Sequence, residues 1–160
     1  MSLFSKKGKQ ISSAPATGQG YQIYFRDAAN NILEFIAPEE LPIEAEGAFG
    51  TQYLLGISEI GLAVNDIPAQ VAALEAHFGG NRYQGSDTFA PVGDIHGRCI
   101  VVKTGHHWFP TTTAAVVAPI QVITEGGEPD LYRPSGFPYT FEIVAERAPR
   151  FSLPQVDESP

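Results

Sequence analysis

An α+β fold, strand-rich with one clear helix, follows from three observations. Residues 21–38 alternate with the two-residue period of strands on both sides of a short polar segment. Residues 57–78 run from an apolar strand through a capping residue into a helical pattern. Beyond them, strand-length apolar runs recur between Gly- and Pro-containing breaks. At 160 residues, 43% hydrophobic and 18% charged, the chain has the composition of a globular domain with one ordinary core.

Residues 1–20, rich in Ser, Gly, Lys and Ala, show no sustained period and read as a mobile lead-in. In 21–38, Tyr21, Ile23 and Phe25 alternate with Gln22, Tyr24 and Arg26. After the turn, Ile32, Glu34 and Ile36 alternate with Leu33 and Phe35. The segment Asp27-Ala28-Ala29-Asn30-Asn31 closes a hairpin, since Asp bonds to nearby backbone and Asn accepts a left-handed conformation. Glu34 thus stands mid-strand on the face of Ile32 and Ile36, where burial is costly unless a cation or donor meets it. Residues 39–56, acidic and turn-forming at their start, are expected to be a linker whose carboxylates are solvated.

Residues 57–64 read as a buried strand. Asn65 or Asp66 then caps a helix over 66–78 that tolerates Pro68 in its first turn. Ile67, Val71, Leu74 and Phe78 recur at helical spacing, and Gly79-Gly80 ends the run. Strands are expected over 82–92, 98–104, 116–124 and 139–145, with a turn at 93–97 and a loop over 125–138. Residues 149–160 have the composition of a disordered tail.

Net charge −8 and a pI near 4.9 repel phosphate backbones and anionic headgroups, which disfavours nucleic-acid and membrane-surface binding. The basic cluster Lys6, Lys7 and Lys9 reads as solvated. No apolar run reaches membrane-span length and no secretory h-region precedes the first strand, so a reducing cytoplasm is expected. The lone Cys99 offers neither an internal disulfide nor zinc-cluster spacing and reads as a small packed side chain.

The run Phe25-Arg26-Asp27-Ala28-Ala29-Asn30-Asn31-Ile32-Leu33-Glu34 resembles the closing hairpin of a vicinal oxygen chelate module, often F-x-D-P-D-G-N-x-L-E. This superfamily includes glyoxalase I, extradiol dioxygenases, and fosfomycin- and bleomycin-resistance proteins. Ala28 and Asn30 replace its Pro and Gly. The segment from Glu59 to Asp66 resembles the opening of such a module, often x-H-I/V-x-L-x-V-x-D, with Ile60, Leu62, Val64 and Asp66 matching and Glu59 at the ligand histidine. The resemblance implies βαβββ modules with curved mixed sheets: 21–38 as the closing hairpin of a partial first module, and 57–148 as a second module plus a shortened remnant of a further one. Such a chain is either the C-terminal portion of a longer protein or one that completes its open strand edges with a second copy, as a homodimer.

If the protein is an enzyme, the resemblance implies metal-assisted lyase, isomerase or dioxygenase chemistry on a small oxygen-bearing substrate. Glu34 would be a metal ligand, Glu59 a ligand or base, and His106 or His107 would orient substrate. The divalent ion, manganese, iron, nickel, zinc or magnesium, stays open, and carboxylate in place of imidazole shifts preference from zinc toward harder ions. The first alternative is a metal-free binder of a small aromatic or cationic molecule on Tyr24, Trp108 and Phe109, as in the drug-sequestering members. The second is a non-catalytic module that dimerises. Plainer readings accompany each candidate: Glu34 as a carboxylate held by Arg or Tyr without metal, Glu59 as a solvent-facing strand residue, Glu142 as an edge-strand solubiliser. Adjacent His106 and His107 point to opposite faces of an extended strand and do not readily chelate one ion.

Overall fold

The computed structural model describes residues 2–3, 20–38, 50–83 and 85–146. Most of the expected lead-in, the linker as far as residue 49 and the expected tail lie outside the described residues. The fold is mixed α+β, with ten strands and one α-helix among the described residues, arranged in three sheets.

The hairpin pairs β2 (Gly20–Arg26) with β3 (Ile32–Pro38), and β1 (Ser2–Leu3) adds to β2. The lead-in thus contributes a short strand. Asp27 closes the turn as expected, its carboxylate accepting from the Ala29 and Asn31 backbone at 2.9 and 2.8 Å, while Asn30 takes φ 69°.

A strand, a helix and three more strands build the second sheet. β4 (Glu59–Val64) leads to α1 (Ile67–Phe78), whose N-cap Asp66 accepts from the Ala69 N–H at 3.0 Å. Gly79 ends the helix at φ 63°, as a left-handed C-cap. β5 (Asn81–Arg82), β6 (Phe89–Gly93) and β7 (Arg98–Lys103) follow, giving the spatial order β4-β7-β6-β5 with β4 and β7 parallel. The single strand expected over 82–92 is two. Its interruption is a turn in which the Ser86 N–H reaches the Phe89 carbonyl at 2.7 Å and the Ser86 hydroxyl accepts from the Thr88 N–H.

The third sheet has the order β8-β10-β9, from β8 (Ile120–Glu125), β9 (Asp130–Tyr132) and β10 (Tyr139–Val144). β8 begins after Pro119 rather than at 116, and the expected loop 125–138 contains β9. In the second and third sheets the first strand runs parallel to the last, and the last pairs antiparallel with the strand before it. The third sheet has that plan without a helix of its own.

One helix serves both. Ile67, Val71 and Leu74 of α1 pack with Leu62, Val64, Ala90, Val92 and Val101 of the second sheet and with Tyr139 and Phe141 of the third. Burying a side chain the size of Phe141 contributes roughly 1.5–3 kcal/mol. At the helix C-terminus His77 meets Asp130 at 2.7 Å and stacks on Tyr132, its ring centroid 4.2 Å away. Among the described residues no helix is long and apolar enough to cross a membrane.

Candidate functional site

Strand alternation sends Leu62 and Val64 toward α1 and leaves Glu59, Gly61 and Ala63 on the opposite face. The parallel register sets Arg98, Ile100 and Val102 of β7 beside them on that face. The chain after β7 folds back over this surface. The Gly105 N–H meets the Ala115 carbonyl at 2.8 Å, the Ala115 N–H meets the His106 carbonyl at 2.7 Å, and the Trp108 N–H meets the Thr113 carbonyl at 3.0 Å. Ala63, Val102, Ala115, Ile100 and Trp108 form a second apolar cluster there. The Trp108 ring lies on Gly61 so closely that a Cβ at Gly61 would stand 2.5 Å from its Cη2. Only glycine lets the indole reach the strand.

The hairpin closes on the same region. Arg26 Nη2 donates to Thr113 Oγ1 at 2.7 Å, and the Tyr24 ring meets Phe109 edge-on with centroids 5.6 Å apart. Tyr24 and Glu34 are directly paired across β2 and β3, hence on one face. That face carries Glu34 within electrostatic reach of Glu59, from a different sheet. The structure thus brings together Tyr24, Glu34, Glu59, Trp108 and Phe109, which the sequence places in three separate segments.

Burial pushes the Glu34 carboxyl up to about 7; the Tyr24 hydroxyl opposes this and the Glu59 charge adds to it. Its Oε1 is buried and has no hydrogen-bond partner among the described residues. Burial also raises Glu59, against the pull of Arg98, whose Nη1 is 3.7 Å from Glu59 Oε1. The Glu59 side chain is 23% exposed, so it is not a solvent-facing strand residue. Tyr24 is held well above the usual phenol range by burial, then by its contacts with Glu34 and the charge of Glu59.

As a donor set for a divalent ion, these residues fit poorly. Glu34 and Glu59 supply carboxylates, but among the described residues no group of three or more His, Cys, Asp and Glu gathers to hold a metal. A guanidinium already stands beside Glu59, and a cation there would compete with it. His106 and His107 lie exposed on the strap after β7, where the backbone of His107 bridges to Ala114.

Arg98, Gly61 and Tyr83 are the residues that sequence reasoning missed. Arg98 Nε donates to the Asp94 carbonyl at 3.0 Å, and its guanidinium carbon lies 4.7 Å from the centre of the Tyr83 ring. An arginine at the head of a strand signals nothing until the pairing of β4 with β7 is known.

No protein-family model and no curated protein matches the chain. A solved structure from the mobile metagenome of V. pseudocholerae is 12% identical, covering 58% of this chain and 95% of its own, with a TM-score of 0.43. An integron cassette protein from the mobile metagenome of V. cholerae is 11% identical, covering 56% of this chain and 94% of its own, with a TM-score of 0.41.

Proposed function

We propose that the protein binds a small molecule carrying a cationic nitrogen next to an aromatic or apolar frame. The observation that carries this reading is Glu34 Oε1, a buried carboxylate oxygen without a partner among the described residues, paired across the hairpin with Tyr24, whose ring meets Phe109. An unmet buried acceptor is costly, and an ammonium N–H entering beside it recovers that cost as a charge-assisted hydrogen bond. The aromatic side chains supply apolar area and faces that attract cations. Glu59 of β4 adds negative potential within reach of Glu34 and is itself ion-paired with Arg98.

In this proposal the fold is of the vicinal oxygen chelate type and the protein stands nearest the metal-free, drug-sequestering members. The order β4, α1, β5, β6, β7 supports it, as do Glu34 and Glu59 meeting from the positions where the motifs lay. The metal-assisted enzyme reading draws on the same two carboxylates, but they make a small donor set for a resident ion, and no step is derived through one. A purely dimerising module would leave the unmet oxygen of Glu34 without a purpose.

Titration with 2-phenylethylamine, read by the fluorescence of Trp108, the sole tryptophan, tests the proposal. Saturable change that is lost in Glu34→Gln supports it. Equal response in the variant, or none in either protein, overturns it.

A further inference from the structure

Phe109 is an exposed aromatic residue on a stiff support. It is 55% exposed, yet the turn that carries it is closed by hydrogen bonds. The Thr111 hydroxyl donates to the Trp108 carbonyl at 2.8 Å and accepts from the Thr113 N–H at 3.1 Å, and the Thr111 N–H reaches the same Trp108 carbonyl at 2.7 Å. Arg26 clasps Thr113 from the hairpin, and Trp108, the preceding residue, rests on Gly61. A ring held in place before a ligand arrives loses little conformational freedom when it is used.

Only one side chain separates Phe109 from the unmet oxygen. The Tyr24 ring meets Phe109 at 5.6 Å between centroids and an interplanar angle of 80°, and the Tyr24 hydroxyl bonds the Glu34 carboxylate. Because Oε1 has no partner among the described residues, the other oxygen takes the phenol and Oε1 is left over. Phe109 and Glu34 are thus one tyrosine ring apart. An ammonium on Oε1, joined through two carbons to a ring packed on Phe109 at an ordinary centroid separation of about 4.5–7 Å, bridges a gap of that size.

We infer that Phe109 is the specificity-determining residue of the site and that the frame of the cationic ligand is a flat aromatic ring packed against it. This rests on the binding proposal and narrows the frame from aromatic or apolar to aromatic. Apolar area alone does not favour a phenyl over a saturated ring of similar size. The ring quadrupole does, because a saturated ring has neither the negative face nor the positive edge that a second aromatic ring meets.

The test compares 2-phenylethylamine with 2-cyclohexylethylamine, equal in charge and chain length, by calorimetry on the full chain. Phe109→Leu, which keeps an apolar side chain without the ring, should weaken the aromatic amine by about three- to tenfold, the range of an aromatic pair, and leave the saturated amine within about twofold. Phe109→Tyr, which keeps the ring, should bind the aromatic amine as the wild type does. Circular dichroism identifies a variant that fails to fold, and Phe109→Ala then replaces Phe109→Leu, judged on the ratio of the two affinities. Equal weakening of the two amines, or no weakening of either in a folded variant, overturns this inference alone. Binding of neither amine by the wild type overturns the underlying proposal as well.

Discussion

Tyr24 and Glu34 face each other across the β2–β3 hairpin, and between them they set the electrostatics of the site. The phenol favours the carboxylate anion, burial opposes it more strongly, and the balance leaves a carboxyl that titrates near neutrality. A strand position that alternation alone would call core is thereby made responsive to charge.

Stability should fall as pH rises through the site's titration range. The folded state holds the Glu34 proton up to about 7, against an ordinary value of 4.5, so it binds more protons than the unfolded chain between those values. The contribution of Glu34 therefore favours the fold below pH 4.5 and is progressively lost as pH rises through about 7. Discounted for partial solvent screening, the loss is on the order of 1–2 kcal/mol. Urea denaturation at pH 5 and pH 8 measures it. In Glu34→Gln this pH dependence should flatten, with the variant the more stable protein at pH 8.

Tyr139 ties the third sheet to the second. Its hydroxyl donates to the Ala63 carbonyl at 2.6 Å on β4, an edge strand. Tyr139→Phe keeps the ring and strands that acceptor, and should cost about 1–3 kcal/mol of unfolding free energy, read by denaturant titration. No effect would mean that the carbonyl finds another donor.

Gly61→Ala puts a methyl into the Trp108 ring and must displace it. The expected cost is about 1–3 kcal/mol, the range for overpacking a fitted contact. A changed Trp108 emission maximum should accompany it, and an unchanged spectrum would show that the indole does not rest there.

Asp66→Ala removes the α1 N-cap and should lower stability by about 1 kcal/mol. Asp66→Asn, which can still accept from the Ala69 N–H, should lose much less. Because α1 is packed against two sheets, the loss should appear in a single cooperative transition rather than as local fraying.

What was legible in the chain was local. The turn at Asp27 to Asn31, the cap at Asp66 and the stop at Gly79 each follow from side-chain chemistry within a few residues, and each stands where expected. Glu34 could be singled out because a carboxylate flanked by Ile32 and Ile36 contradicts its surroundings. The short strands β5 and β9 were not legible, since two or three residues carry no measurable period and their pairing is decided by distant partners. The same holds for Arg98, whose position beside Glu59 is a product of register, and for Gly61, whose role is set by a tryptophan 47 positions later. That one helix would cover two sheets was hidden for the same reason.

The most direct measurement is proton release on binding 2-phenylethylamine at pH 7, from calorimetry in two buffers of different ionisation heat. An ammonium seated at Glu34 favours its ionised form and drives its proton off, so a fraction of a proton per molecule bound should appear near the raised value of about 7. In Glu34→Gln neither the proton nor the tight binding should remain. Binding without proton release, or release that persists in the variant, would contradict a ligand cation held by that buried oxygen.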